Sequence, residues 1–351
     1  MPSRSSPLLL VLVLAFAALG LGCTSLTYVT QAAAGQRDLI DRARDIDYLV
    51  REKRVDHRLR RLLSQVAVIK RFGERHGLRA TSNYTKYTRI DHPEVVWVVT
   101  ASEPLRFRPK QWSFPLVGSF TYLGWFKLEQ ARPFAESLRQ AGWDVDVRGS
   151  GAYSTEGFFQ DPVLSSMISP RADALGELAD VLLHESSHAT IFVHHQSTFN
   201  ESVASFVGDG LTEVFLDETV GASSEEARAY RARQRESTER ERVLRAVYAQ
   251  LEGLYASSLP NAEKLSLKAD ILVRLRAALG YRRPITNATL IQYKTYNSGQ
   301  EEFAELLRAC GGSWPRFIRT VKRLETTHFA SDQESEVGPM VRPLIAAGCA
   351  E

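Results

Sequence analysis

The stretch HESSHATIFVHHQSTFNE, residues 184–201, gathers four of the chain's 8 histidines together with two glutamates. On an α-helix, residues four apart lie about 6 Å from each other on one face, so His184 and His188 can converge on a single metal ion. Glu185 then stands beside the first ligand, where a carboxylate can hold and deprotonate a metal-bound water. A chance HExxH arises in roughly one such chain in a hundred, so the surrounding residues must carry the rest of the case.

Two residues compete as third ligand. His194 occupies the place of the last histidine in HExxHxxGxxH, a pattern that needs glycine at position 191 to end the helix and turn the chain back sharply. Ile191 stands there instead, a β-branched residue ill suited to that turn. If the helix runs on through ATIFVHH, His194 falls about 240° round the axis from His188 and out of reach. The methionines are Met1, Met167 and Met340, so the Met-turn of that pattern is missing as well. Glu201 fits better. The polar run HHQST ends the first helix, and Ser197, Thr198 or Asn200 can cap a second one through SVASFVGDGLTEVFLDE. A short connection makes the two helices antiparallel neighbours, which points Glu201 back at His188. Two histidines and one carboxylate leave a fourth position open to water, the catalytic arrangement of zinc.

These residues need two helices and a wall to face. ADALGELADVLL, just ahead of His184, is a good helix former, and from position 173 onward the spacing is helical, with breaks at 208–210, 221, 257–261 and 280–284. The run SSEEARAYRARQRESTERERVLRAVYAQLEGLYAS has the alternating charge of a long solvated helix. The middle of the chain changes period: VVWVVTAS (95–102), FTYLGWF (120–126) and WDVDVRGSGAYST (143–155) read as strands of a small sheet. KLEQARPFAESLRQAG between the last two reads as a helix closed by Gly142. Residues 37–72 carry helical spacing among many charges.

At 44% hydrophobic and 24% charged residues, the 351-residue chain can bury a core, and its net charge of +3 comes from interspersed populations that argue for no nucleic-acid partner. Arg4 followed by PLLLVLVLAFAALGLG reads as a signal peptide over 1–22, and the small residues before Cys23 resemble a lipoprotein processing site. On that reading Cys23 is lipidated, 23–36 is a tether, and the mature chain is anchored to a membrane of the cell envelope, facing the periplasm or exterior. Cys310 and Cys349 can pair in such an oxidising compartment, or be unrelated thiols.

Taken in order, YVTQAAAGQ (28–36), NYTKY (83–87), VVWVVTAS, WSFPLVG (112–118), YLGWF, GAYSTEGFFQDP (151–162), HESSH, FNESVASFVG (199–208) and NATLIQYKTYNSG (287–299) resemble the bacterial putative aminopeptidase family, predicted lipoproteins of the gluzincin type. The resemblance implies an α+β, zincin-like metallopeptidase domain over 37–351, with a small mixed sheet within 95–155 and a mainly helical half over 173–351. It implies one zinc ion on His184, His188 and Glu201, Glu185 as general base, and a peptide or protein substrate. An oxyanion donor must come from outside the metal motif: Tyr296 is the first choice, with Tyr153, Tyr293 and His328 as the other candidates. Gluzincins often carry an Asp four residues after the ligand glutamate; Ser205 stands there, so Asp209 or Asp180 is expected to orient a histidine. The strand ending at Gly151 and Ala152 is expected to pair with substrate, and Glu156 is the candidate for binding its α-amine. An endopeptidase, or a non-catalytic scaffold on the same fold, stand as alternatives to an aminopeptidase.

Overall fold

The computed structural model describes residues 23–114, 118–153, 155, 160–329 and 331–350. The leader 1–22, the Cys23 side chain and Glu156 lie outside them. In chain order the elements are α1 (Cys23–Asp41), β1 (Arg44–Asp45), α2 (Ile46–Arg51), α3 (His57–Arg75), β2 (Lys86–Thr88), β3 (Val96–Ser102), β4 (Trp112–Phe114), β5 (Gly118–Phe120), β6 (Tyr122–Trp125), α4 (Leu128–Gln140), β7 (Asp144–Ser150), β8 (Val163–Leu164), α5 (Ala174–His188), α6 (Ser197–Thr219), α7 (Glu225–Ala256), α8 (Asn261–Leu279), α9 (Asn287–Asn297), α10 (Gln300–Ala309), α11 (Trp314–Val321) and α12 (Gly338–Ala347). Small sheets precede a helical C-terminal half, so the class is α+β.

The sheet that faces the site is antiparallel, in the order β6-β3-β7. Its register puts Tyr122, Thr100 and Asp146 in one row and Gly124, Val98 and Arg148 in the next. Paired residues share a face and alternate residues return to it, so these rows share one side of the sheet. The other side is apolar: Val99, Ala101, Leu123, Trp125 and Val145 pack on Ala131, Ala135 and Leu138 of α4. The polar side meets α9. There the Asn287 backbone N–H donates to Asp144 at 3.1 Å, Arg283 pairs with Asp146, and Arg148 Nε donates to Gln292 Oε1 at 2.6 Å. A second, mixed sheet, β1-β2-β8, has β1 antiparallel and β8 parallel to β2.

Several expectations are corrected. The stretch 23–36 is not a tether but most of α1. Tyr28 packs against Phe114 and Trp125, and buried Gln31 donates to the Gly124 carbonyl at 3.1 Å and accepts from the Phe126 N–H at 3.0 Å. Gly35 of this helix lies against the Phe126 ring, where a Cβ would not fit. The run 120–126 divides at Thr121: β5 pairs with β4, whereas β6 pairs with β3. The strand expected over 143–155 stops at Ser150. The break expected at 208–210 does not occur, since α6 runs unbroken from Ser197 to Thr219. Its glycines serve close packing instead, with Gly210 against the Trp314 ring and Gly208 against α5.

Family-like motifs far apart in sequence meet in one buried network. Asp161 accepts from Gln36 at 3.1 Å and from the Thr155 N–H at 2.8 Å, its own N–H donates to Asn83 Oδ1, and its carbonyl takes the Tyr84 N–H at 2.7 Å. Asp161 thereby ties α1, the segment before β2 and the segment before β8 together.

At the C-terminus a disulfide joins Cys310 to Cys349, closing a 39-residue separation. Thr320 Oγ1 accepts the Ala350 N–H at 2.7 Å, so the tail is held to the end of α10 by the disulfide and to α11 by this hydrogen bond. A loop of this length contributes about 4 kcal/mol through restriction of the unfolded chain. Replacing both cysteines with alanine should lower stability to chemical denaturation by roughly that amount relative to the oxidised wild type, with the fold retained by circular dichroism.

Candidate functional site

α5 ends at His188, and the chain turns before α6 begins at Ser197. Three contacts fix that turn. The Ile191 N–H donates to the Ser187 carbonyl at 2.7 Å, His195 takes a φ of +60°, and the Asn200 side chain clasps both backbone groups of Val193 at 2.9 Å. None of Ser197, Thr198 or Asn200 caps α6 with its side chain; the Ser197 N–H is satisfied at 3.0 Å by Gln333, brought in from the far end of the chain. His194 is exposed and packs edge-on against Phe192, away from the other histidines.

The turn lays α6 antiparallel on α5 and brings three ligand atoms together. His184 Nε2 and His188 Nε2 are 3.2 Å apart, and Glu201 Oε2 lies 3.4 Å from the first and 3.5 Å from the second. Among the described residues these three form the group of His, Cys and acidic side chains able to hold a metal ion. The second carboxylate oxygen, Glu201 Oε1, accepts from the Tyr122 hydroxyl at 2.7 Å. Burial opposes ionisation of Glu201, but His188 and His184 outweigh it and hold the carboxyl far below its ordinary range. The two imidazoles thus favour the charged carboxylate.

Close approach of the helices requires Gly208. A Cβ there would sit 2.9 Å from Asp180 Oδ1 and 3.1 Å from the His184 Cβ. Asp180 thus lies near His184 across from Gly208, but the described hydrogen bonds of Asp180 and Asp209 do not go to a histidine: Gln234 donates to Asp209 at 2.6 Å, and Tyr230 bonds to both carboxylates. Burial and the neighbouring Asp209 raise Asp180 well above the usual carboxylate range.

Tyr296, at the end of α9, comes to the site. Its ring stacks on that of His184 with centroids 6.3 Å apart. Enclosure, then the charges of Glu201 and Glu185, push its phenol upward, with Arg148 pulling the other way, so it stays a neutral O–H donor. Ser202, next to Glu201, holds this end of α9: its hydroxyl donates to the Thr295 carbonyl at 2.9 Å and accepts the Ser298 N–H at 3.0 Å. The other candidates sit differently. The Tyr153 ring packs edge-on against Phe126, Tyr293 packs among the residues of α7 and α8, and His328 is exposed. Gly151 and Ala152 follow the end of β7, where the Gly151 carbonyl accepts from Ser166 and the Ala152 carbonyl from Ser150 at 2.8 Å.

Sequence reasoning missed Tyr122 and Ser202. Tyr122 read only as a strand aromatic. Alternation within YLGW puts it on the face opposite Leu123, but that this face meets a carboxylate follows only from the packing of sheet on helix.

A family model described as putative aminopeptidase matches residues 27–335. No curated protein and no solved structure matches the chain.

Substituting Tyr122→Phe removes the hydroxyl that donates to Glu201, so if the His184, His188 and Glu201 group takes up a divalent ion such as zinc, affinity for the added ion should fall about 10- to 100-fold, as loss of an outer hydrogen bond to a ligand does. Competition with a chromophoric chelator measures it; unchanged affinity would show that Glu201 holds its position without Tyr122. Gly208→Ala should weaken uptake of the added ion in the same assay by forcing α5 and α6 apart.

Proposed function

Because the chain belongs to the putative aminopeptidase family, whose model spans most of it, we propose that it is a zinc metallopeptidase of zincin-like fold that hydrolyses peptide bonds, acting as an aminopeptidase from the cell envelope. The observation that carries this reading is the triangle of His184, His188 and Glu201. A tetrahedral ion with bonds of about 2.0–2.1 Å spaces its ligand atoms about 3.3–3.4 Å apart. The separations of 3.2, 3.4 and 3.5 Å match it without rearrangement. An octahedral ion of the same bond length would draw them to about 2.9 Å. Two imidazoles and a carboxylate also suit zinc by chemistry and leave a fourth position open.

A zinc ion held there supplies Lewis acidity, lowering the pKa of water and polarising a carbonyl. The chain's own residues do the rest. Glu185, one residue after the first ligand and half-buried, accepts the proton of the attacking water and returns it to the leaving amine. Tyr296, held neutral beside His184, donates its hydroxyl to the oxyanion that develops on the carbonyl. Tyr122 keeps Glu201 turned toward the imidazoles while charge is redistributed. Asp180 and Asp209 support the His184 side of α5 through Tyr230. The apolar leader ending at Cys23 supports lipid anchoring of the mature chain.

Two substitutions separate these roles. Glu185→Gln should leave zinc content near one per chain while lowering kcat by about 10²–10⁴. Tyr296→Phe should lower kcat by about 10²–10³ with KM little changed. Cleavage that survives complete removal of metal by a chelator overturns the reading. Comparing peptides with free and blocked N-termini decides exo- from endo-cleavage: an aminopeptidase turns over only the free ones.

A further inference from the structure

One charged group near the candidate ligands has no role in the chemistry above. Arg148 stands on the site-facing side of β7, which is the outer strand of its sheet with β3 as neighbour. Its Nε donates to Gln292 Oε1 at 2.6 Å, and its guanidinium carbon lies 5.8 Å from the centre of the Tyr296 ring, the ring that stacks on His184. The other cations that meet this face are neutralised: Lys268 pairs with Asp144 and Arg283 with Asp146. Arg148 differs, for among the described residues no carboxylate lies within ion-pair distance of it.

A guanidinium has five N–H donors, and Gln292 and Tyr296 engage only part of them. Arg148 is half-buried, and a cation drawn partly out of water is costly unless an anion meets it. Gln292 fixes the fork in place, which suits planar recognition of a carboxylate. Neither glutamate of the site can supply that anion, because Glu201 faces the imidazoles and Glu185 serves the water. A peptide laid along the open edge of β7 advances about 3.3–3.6 Å per residue, so a carboxylate within two residues of the scissile bond comes within reach of Arg148.

We propose that Arg148 recognises a carboxylate of the substrate close to the scissile bond, so that this enzyme selects peptides bearing an acidic side chain or a free C-terminal carboxylate there. The inference rests on the peptidase reading of the site but concerns binding, which the metal-free protein can report.

The test uses the full-length protein without metal and four short peptides, N-acetyl-Ala-Glu and N-acetyl-Ala-Gln, each with a free or an amidated C-terminus, with binding followed by calorimetry. At least one carboxylate-bearing peptide should bind about ten-fold more tightly than the doubly neutral one. The preference should collapse in Arg148→Gln and persist in Arg148→Lys, which keeps the charge and guards against a merely misfolded variant. Glutamate amide and glutamine free acid tell the side chain from the terminus. Equal binding of all four, binding of none, or a preference that survives Arg148→Gln overturns the proposal. Cleavage by the zinc-loaded enzyme is scored separately, on the same four sequences with both free and acetylated N-termini: carboxylate preference with no cleavage of either set would sink the peptidase reading and leave the recognition standing, whereas cleavage without preference would do the reverse.

Discussion

A carboxylate buried at the start of a helix is the constraint on which the rest of this structure turns. Glu201 is 6% exposed, and a charge so placed must find partners or cost several kcal/mol. It finds two imidazoles on one oxygen and a phenol on the other. The imidazoles come from α5 and the phenol from β6, so satisfying one side chain of α6 orders three pieces of the fold. α5 must end at His188 so that α6 can return beside it, Gly208 must lack a Cβ so that the helices can touch, and the sheet must present Tyr122 to the same point. The group that would bind a metal is thus also the group that fixes where sheet and helices meet.

The same reasoning explains the unusual polarity of the sheet. In β7, alternation of aspartate and valine ordinarily means that the polar side faces water. Here Asp146 is 4% exposed and faces α9. The cost is offset by Lys268, Arg283 and the N-terminal backbone of α9, which together form a polar seam between strand and helix. That seam is directional. Asp144 meets Asn287 near the start of α9, Arg148 meets Gln292 one turn from its end, and Tyr296 follows one turn later. A slip of one residue in the β3–β7 register would carry the whole polar row to the apolar face, so strand register and the place of Tyr296 are set together.

What could be read in advance divides along physical lines. The grouping of His184, His188 and Glu201 was legible because its geometry is local: helical spacing brings His184 and His188 together, and a short turn brings Glu201. The strands near 95–102 and 143–150 and the helix closed by Gly142 were legible for the same reason. Misreadings arose where tertiary contact decides. Residues 23–36 lack the charges of an ordinary surface helix, yet Tyr28 and Gln31 find a prepared seat on β6. Gly208 and Gly210 look like helix breakers, and only the nearness of His184 and Trp314 shows why a helix retains them. The caps expected for α6 were absent because Gln333, more than a hundred positions away, does their work.

Ser202 carries the synthesis one step further. It sits one position after the ligand Glu201, on the neighbouring side of α6, and its hydroxyl bridges the Thr295 carbonyl and the Ser298 N–H that flank Tyr296. Its own carbonyl accepts from Gln300 at 3.1 Å. Two consecutive residues therefore place the carboxylate beside the imidazoles and hold the helix end that bears Tyr296. A rotation of α6 that moved Glu201 off the imidazoles would also pull on the end of α9, and Arg148, tied to Gln292 on the same helix, would feel it through β7. Glu201, Tyr296 and Arg148 are coupled through ordinary hydrogen bonds between packed elements. A site built on packed helices and strands in this way holds its groups to the small tolerances that catalysis demands.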